Sequence, residues 1–154
     1  MDDVKLQEVI LDILPQISFF GGITKSELSQ LMEYIHETDI SQGEYVYREG
    51  DPPGDLYILL DGEVDFFILD EKVAESKRGV LFGMSAAIGI QKQMVSALAK
   101  KDLELAVISK KLFHQMRKKN PELFGKITLN IARDLARDLK FLRDYVEQHK
   151  KSNK

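Results

Sequence analysis

The sequence predicts an α+β fold, a small antiparallel β-roll or jelly roll held between N-terminal helices and one long C-terminal helix. Three observations predict it. Apolar residues recur at helical spacing over residues 3–36. Over 37–109 the period shortens to short β-branched or aromatic runs broken by Gly, Asp and Pro. Over 110–149 helical spacing returns. At 154 residues the chain is one domain, 1–154, since two ordinary ones would not fit.

Composition narrows the function. An apolar share of 44% and a charged share of 31% are those of a soluble globular protein. No apolar run approaches the ~20 residues that cross a bilayer, so no membrane partner is expected. The N-terminus is acidic and amphipathic, unlike a signal peptide, which leads us to expect a cytoplasmic protein. With no cysteine, disulfides, thiolate nucleophiles and thiolate metal sites are excluded. The net charge of −3 conceals an asymmetry: residues 1–75 carry 4 Lys and Arg against 18 Asp and Glu, and residues 76–154 carry 18 against 7. A basic half can serve nucleic acid or a membrane surface. The reading favoured is that the halves complement each other, or another subunit.

The elements follow in order. Residues 3–16 read as a helix on Val4, Ile10, Leu11 and Leu14, with Pro15 near its end. After the Gly21-Gly22 turn, Thr24 caps a second helix and Glu27 completes a capping box. Leu28, Leu31, Met32 and Ile35 form its inward face. "GEYVYREG", "DLYILLDGEVDFFILD" and "KDLELAVIS" read as strands punctuated by Gly43, Gly50, Gly54 and Gly62, and "DEKVAE" (70–75) reads as a hairpin turn in solvent. "SKKLFHQMRKKN" makes a short helix capped by Ser109. Asn120-Pro121 then opens a helix of ~40 Å reaching about His149. On it Leu123, Ile127 and Ile131 lead into Leu135, Leu139, Leu142 and Val146, whose 4,3,4 spacing is a coiled-coil seam. Lys140 with Asp144 and Arg143 with Glu147 support a solvated face beside it.

The middle of the chain carries spaced motifs: Gly43-Glu44-Tyr45-Val46, Glu49-Gly50-Asp51, and Leu56-Tyr57-Ile58-Leu59-Leu60-Asp61-Gly62-Glu63-Val64. With Phe82-Gly83 and "DLELAVIS" (102–109) they resemble the cyclic nucleotide-binding domain, the regulatory module of catabolite-activator-type transcription factors, gated channels and cyclic-nucleotide-dependent kinases. The resemblance covers roughly residues 17–148. It implies a β-roll followed by a long helix that carries a signal. It also implies a ligand cassette at Phe82, Gly83, Met84, Ser85, Ala86, Gln93, Met94 and Ser96.

Within that cassette the family has a glutamate for the ribose hydroxyl and an arginine for the cyclic phosphate. Here those positions hold Met84 and Gln93, and Met94 stands where the family has a small residue. Methionine accepts no hydrogen bond worth counting, and glutamine brings neither charge nor a bidentate fork. Losing two charge-assisted contacts of ~1.5–3 kcal/mol each lowers affinity by roughly 10²–10⁴. The two methionines are expected to fill the pocket. Lys92 is read as an exposed loop residue rather than a substitute cation. The Gly83–Ala87 turn is left open between an anion nest and a packing turn.

His36, His114 and His149 are read onto three separate helices, without metal-ligand spacing, and no catalytic constellation converges. A metal site and an enzyme are therefore not expected. The resemblance implies a cyclic nucleotide or another small anion as ligand and no other cofactor. The sequence ends soon after the long helix, so no direct DNA binding is expected of it. Two functions stay open: a stand-alone ligand-sensing regulatory domain with an altered nucleotide pocket, or a degenerate domain that dimerises or binds a partner through its last helix. In both, the seam Leu135, Leu139, Leu142 and Val146 predicts a homodimer.

Overall fold

A computed structural model describes residues 2–13 and 17–154. Leu14 and Pro15, read as the end of the first helix, lie outside the described residues. The helix itself, α1, is Asp3–Ile13. Its buried row is Leu6, Ile10 and Ile13, spaced 4 and 3; Val4 falls on the opposite side and is exposed. A 3₁₀ turn at Ser18–Phe20 leads to α2, Lys25–Leu31.

Both halves of the α2 capping box form. Glu27 N–H donates to Thr24 Oγ1 at 3.1 Å, and Thr24 N–H donates to Glu27 Oε1 at 3.1 Å. Lys126 Nζ reaches the same carboxylate at 2.9 Å from the C-terminal helix. The lysine, then the Thr24 N–H, hold Glu27 below its ordinary value of 4.5. A lowered folded value means that the native state binds this proton more weakly than the unfolded chain. Its stabilisation is thus complete above pH 4.5 and lost as pH falls through the lower folded value. Glu27→Gln is expected to be less stable than the natural protein near neutrality and to lose part of the acid-side fall in Tm. Thermal unfolding between about pH 3 and 7 checks this, and parallel curves for the two proteins would refute it.

A 3₁₀ turn at Met32–Tyr34 gives way to strand β1, Ile35–Ile40. Ile35 is therefore buried from a strand, not from the second helix. The remaining strands are β2 (Tyr45–Tyr47), β3 (Leu56–Asp61), β4 (Glu63–Ile68), β5 (Glu71–Lys77), β6 (Leu81–Phe82), β7 (Ser96–Ala99) and β8 (Leu103–Ile108). Residues 71–75, read from sequence as a solvent turn, lie in β5. The turn is Leu69-Asp70, both with positive φ, the backbone that a tight two-residue hairpin requires. Two antiparallel sheets result, in the orders β1-β8-β3-β6 and β2-β7-β4-β5.

Alternation along β3 divides the core. Leu56, Ile58 and Leu60 face the helices, where they meet Ile10, Leu28, Leu112, Leu123 and Ile127. Leu59 faces the inside of the roll with Val64, Ala97, Leu103 and Leu105. Gly62 joins β3 to β4 at φ +102, and a Cβ there would lie 2.3 Å from the Asp102 carbonyl oxygen. That turn admits only glycine, which gives the Gly62 motif a steric cause.

After β8, helix α4 is Lys111–Lys119, starting one residue later than a Ser109 cap requires. Ser109 Oγ still accepts from Lys111 N–H at 3.3 Å. Asn120 caps the last helix, α5 (Pro121–Ser152), its Oδ1 accepting from Leu123 N–H at 3.1 Å. The 32 residues of α5 extend ~48 Å. Leu123, Ile127 and Ile131 are buried, as their spacing predicts. Asn130, which the apolar periodicity gives no reason to notice, is buried between them. Its Nδ2 donates to the carbonyls of Phe19 (3.0 Å) and Gly21 (2.8 Å), latching the Ser18–Phe20 turn to α5.

The charge asymmetry is met internally in part. Acidic residues of the first half pair with basic ones of the second: Asp12 with Arg78 at 2.9 Å, Glu63 with Lys101 at 2.7 Å, Glu75 with Lys100 at 3.3 Å, and Glu27 with Lys126. Pairs this exposed add little stability each.

Candidate ligand-binding site

The site begins where β6 stops. Gly83 has φ +82, and a Cβ on it would press within 3.0 Å of the Asp55 carbonyl and 3.1 Å of the Tyr57 ring. Only glycine makes this turn, which sends the chain into α3, Met84–Gly89. Six residues later in the chain than α3's mid-point, Gln93 is held by the backbone of the Glu49-Gly50-Asp51 motif. Gly50 N–H donates to the Gln93 carbonyl and Gln93 N–H to the Asp51 carbonyl, both at 2.8 Å. Asp51 closes its own turn by accepting from Arg48 N–H at 2.8 Å. The motif therefore acts as a clamp on the loop that carries Gln93.

Between α3, this loop and the open side of the roll lies a cavity of about 450 Å³. Of the residues predicted for the cassette, Phe82, Gly83, Met84, Ser85, Ala86, Gln93 and Met94 line it. Ser96 does not. Its Oγ accepts from Glu49 N–H at 2.8 Å, so it braces the clamp instead. Lys92 is exposed and outside the wall.

The cavity is open, contrary to the expectation that two methionines fill it. Met84 is 8% exposed because it packs toward the helical core, flanking the cavity without occupying it. Met94 is 54% exposed at the mouth, with its Sδ accepting from Gln91 Nε2 at 3.7 Å. A volume in the range of small-molecule sites is left between them.

Sequence reasoning missed most of the wall. Tyr47 and Phe66 join Phe82 and Tyr57 in one aromatic cluster, with Tyr57 stacked on Phe82 at 5.4 Å between centroids and Phe66 edge-on to Phe82 at 5.5 Å. Across the cavity, α5 contributes Asp138, Phe141, Leu142 and Tyr145. Their spacing of 3, 1 and 3 marks one helix face, and that spacing is the signal available in the sequence. Leu142 was assigned to the seam and also faces the cavity. Leu135 is partly buried against the helical core; Leu139 (69% exposed) and Val146 are free on the adjoining stripe.

The electrostatics are unusual for an anion site. Among the lining residues Asp138 carries the one charge. Asp138 is exposed on α5, but partial desolvation raises its pKa, the Asp134 carboxylate adds to the rise, and Arg137 opposes it. Burial also raises the Tyr47 phenol, with Tyr57 adding and a hydrogen bond from the Gly83 backbone opposing. Gln93 is 5% exposed, with its amide nitrogen beside Gly54.

Among the described residues no group of three or more His, Asp or Glu is placed to hold a metal ion. His36 lies on β1 rather than on a helix, while His114 and His149 lie on α4 and α5. No helix among the described residues is long and apolar enough to cross a membrane.

Comparison with known proteins agrees with this architecture. The family model for the cyclic nucleotide-binding domain matches residues 37–120. A cAMP-dependent protein kinase regulatory subunit from Hypocrea atroviridis is 26% identical over 105 residues, covering 68% of this chain and 23% of that protein. This chain spans 21% to 27% of the length of the fungal regulatory subunits of this kind that it resembles. Among solved structures, a cyclic nucleotide-binding domain from Methylobacillus flagellatus superposes with a TM-score of 0.83 at 23% identity, over 94% of this chain and 84% of that one. The Thermus thermophilus catabolite activator protein superposes with a TM-score of 0.75 at 23% identity, over 86% and 63%.

Proposed function

Because the chain belongs to the cyclic nucleotide-binding domain family, we propose that it is a ligand-sensing regulatory domain whose altered pocket reports occupancy through α5. One observation carries this reading: the cavity is walled by the roll, α3 and the Gln93 loop on one side and by Asp138, Phe141, Leu142 and Tyr145 of α5 on the other. A ligand bound there touches both bodies, so it favours one placement of α5 over others, the differential contact that switching requires. The open volume supports sensing over the reading of a degenerate, filled domain.

In this proposal the protein is cytoplasmic, regulatory rather than catalytic, and makes no DNA contact of its own. The signal passes to a second copy along Leu135, Leu139, Leu142 and Val146, forming a homodimer. Cyclic nucleotides bind weakly, because Met84 and Gln93 replace the two recognition side chains that the family resemblance implies.

The test restores those side chains, as Met84→Glu with Gln93→Arg, and follows amide hydrogen exchange with and without cyclic AMP. Slower exchange over residues 138–149 on binding is the expected result. Binding that leaves α5 unchanged would refute the sensing mechanism.

A further inference from the structure

The cavity's charge pattern specifies the ligand more closely. Its one charged lining group is the Asp138 carboxylate, and no lysine, arginine or histidine joins it. The guanidinium groups nearby are committed elsewhere. Arg137 pairs with Asp134 and Ser18 Oγ, and Arg78 with Asp12 and the Leu60 carbonyl. The Gln93 N–H is also committed, to the Asp51 carbonyl. An anion entering this cavity would lose part of its hydration and meet the Asp138 carboxylate with no cation on the cavity wall, which is unfavourable.

What the cavity does offer is a largely apolar, aromatic-lined space with a few polar groups. Phe66, Phe82 and Tyr47 line the roll side, and Phe141 and Tyr145 the helix side, suiting a planar ring system inserted between them. Asp138, when ionised, only accepts hydrogen bonds, so it selects a ligand that donates one. The Gln93 amide both donates and accepts, which fits a ring heteroatom better than a phosphate.

We propose that the cavity binds an uncharged planar aromatic ligand that donates an N–H or O–H to the Asp138 carboxylate, and rejects the same ring system when it bears an anionic group. This rests on the ligand-sensing reading and adds the chemical class of the ligand. It runs against the charged ligand that the family resemblance implies.

The test uses two fluorescent probes that share one body, N-phenyl-1-naphthylamine and its sulfonated counterpart 8-anilino-1-naphthalenesulfonate, titrated near neutral pH. The neutral amine is expected to bind at least about tenfold more tightly than the sulfonate. Asp138→Asn, at an exposed helix position, is expected to weaken the amine, strengthen the sulfonate and so shrink that ratio. Phe141→Ala, also exposed, is expected to weaken both, placing the probes in this cavity. Circular dichroism establishes that each variant is folded. Equal or tighter binding of the sulfonate overturns the proposal, as does a ratio unmoved by Asp138→Asn, or no binding of the amine. Each of these leaves the hydrogen-exchange result on the restored variant untouched, so failure of the ligand class and failure of the sensing reading are told apart.

Discussion

Met84→Glu combined with Gln93→Arg is expected to bind cyclic AMP roughly 10²- to 10⁴-fold more tightly than the natural sequence, measured by calorimetric titration. Each substitution returns one charge-assisted contact of ~1.5–3 kcal/mol, and the arginine adds a bidentate fork. The backbone that would aim them is in place: Gly83 turns residue 84 to the cavity edge, and the Gly50–Asp51 clamp holds residue 93 against the wall. The variant has a cost that sharpens the test. Position 84 is buried, so a carboxylate there without a partner destabilises the ligand-free protein by about 1–3 kcal/mol. Cyclic AMP should then raise the Tm of the variant far more than that of the natural protein. Positions 93 and 138 line the same cavity, so Gln93→Arg alone should already offset the lining charge and give part of the gain. If the double variant binds no better than the natural protein, the two positions do not set the pocket's chemistry.

The roll was legible because its signals are local. The Thr24 capping box and the Asn120-Pro121 helix start are each decided by atoms a few residues apart, and Gly62 shows its positive-φ turn by residue type alone, although the Asp102 carbonyl that demands glycine lies forty residues on. The Phe82–Ala86 end of the cassette was reached through the family resemblance, since the Asp55 and Tyr57 contacts that demand Gly83 come from far along the chain. The lid was not. Asp138, Phe141 and Tyr145 lie more than forty residues beyond the loop they face, and nothing local says that α5 folds back over the roll. Their spacing identifies a helix face but not what that face covers. Ser96 was misplaced because a small polar residue suits a phosphate or a backbone N–H equally well; the Glu49 amide takes it. The methionine prediction failed on rotamers, since chain position does not tell whether a flexible side chain points into a cavity or away from it. Asn130 was missed because it occupies an apolar row, and its partners come from the Phe19–Gly21 turn at the far end of the chain.

Leu139→Asp together with Leu142→Asp is expected to turn a dimer into a folded monomer. The first half of α5 is anchored by Leu123, Ile127, Ile131 and the Asn130 latch, so the helix keeps its place when its outer stripe changes. Leu139, Leu142 and Val146 are exposed, an apolar run that the proposed second copy would cover if the two helices pack along their 3,4 spacing. Four leucines leave the seam per dimer, at ~1.5–3 kcal/mol each, which raises the dissociation constant by at least about 10⁴. Sedimentation velocity across a concentration series reads this directly, and a natural protein that is monomeric at tens of micromolar would refute the seam. The pair of substitutions also separates two roles, because Leu142 lies on the cavity wall and Leu139 does not. Leu139→Asp should weaken the dimer and leave ligand binding to the monomer unchanged, whereas Leu142→Asp should weaken both. If one side chain serves the seam and the cavity, ligand and partner compete for or reinforce its placement. Linkage then requires that any ligand which shifts the dimerisation constant have its own affinity shifted by the same factor when the dimer forms.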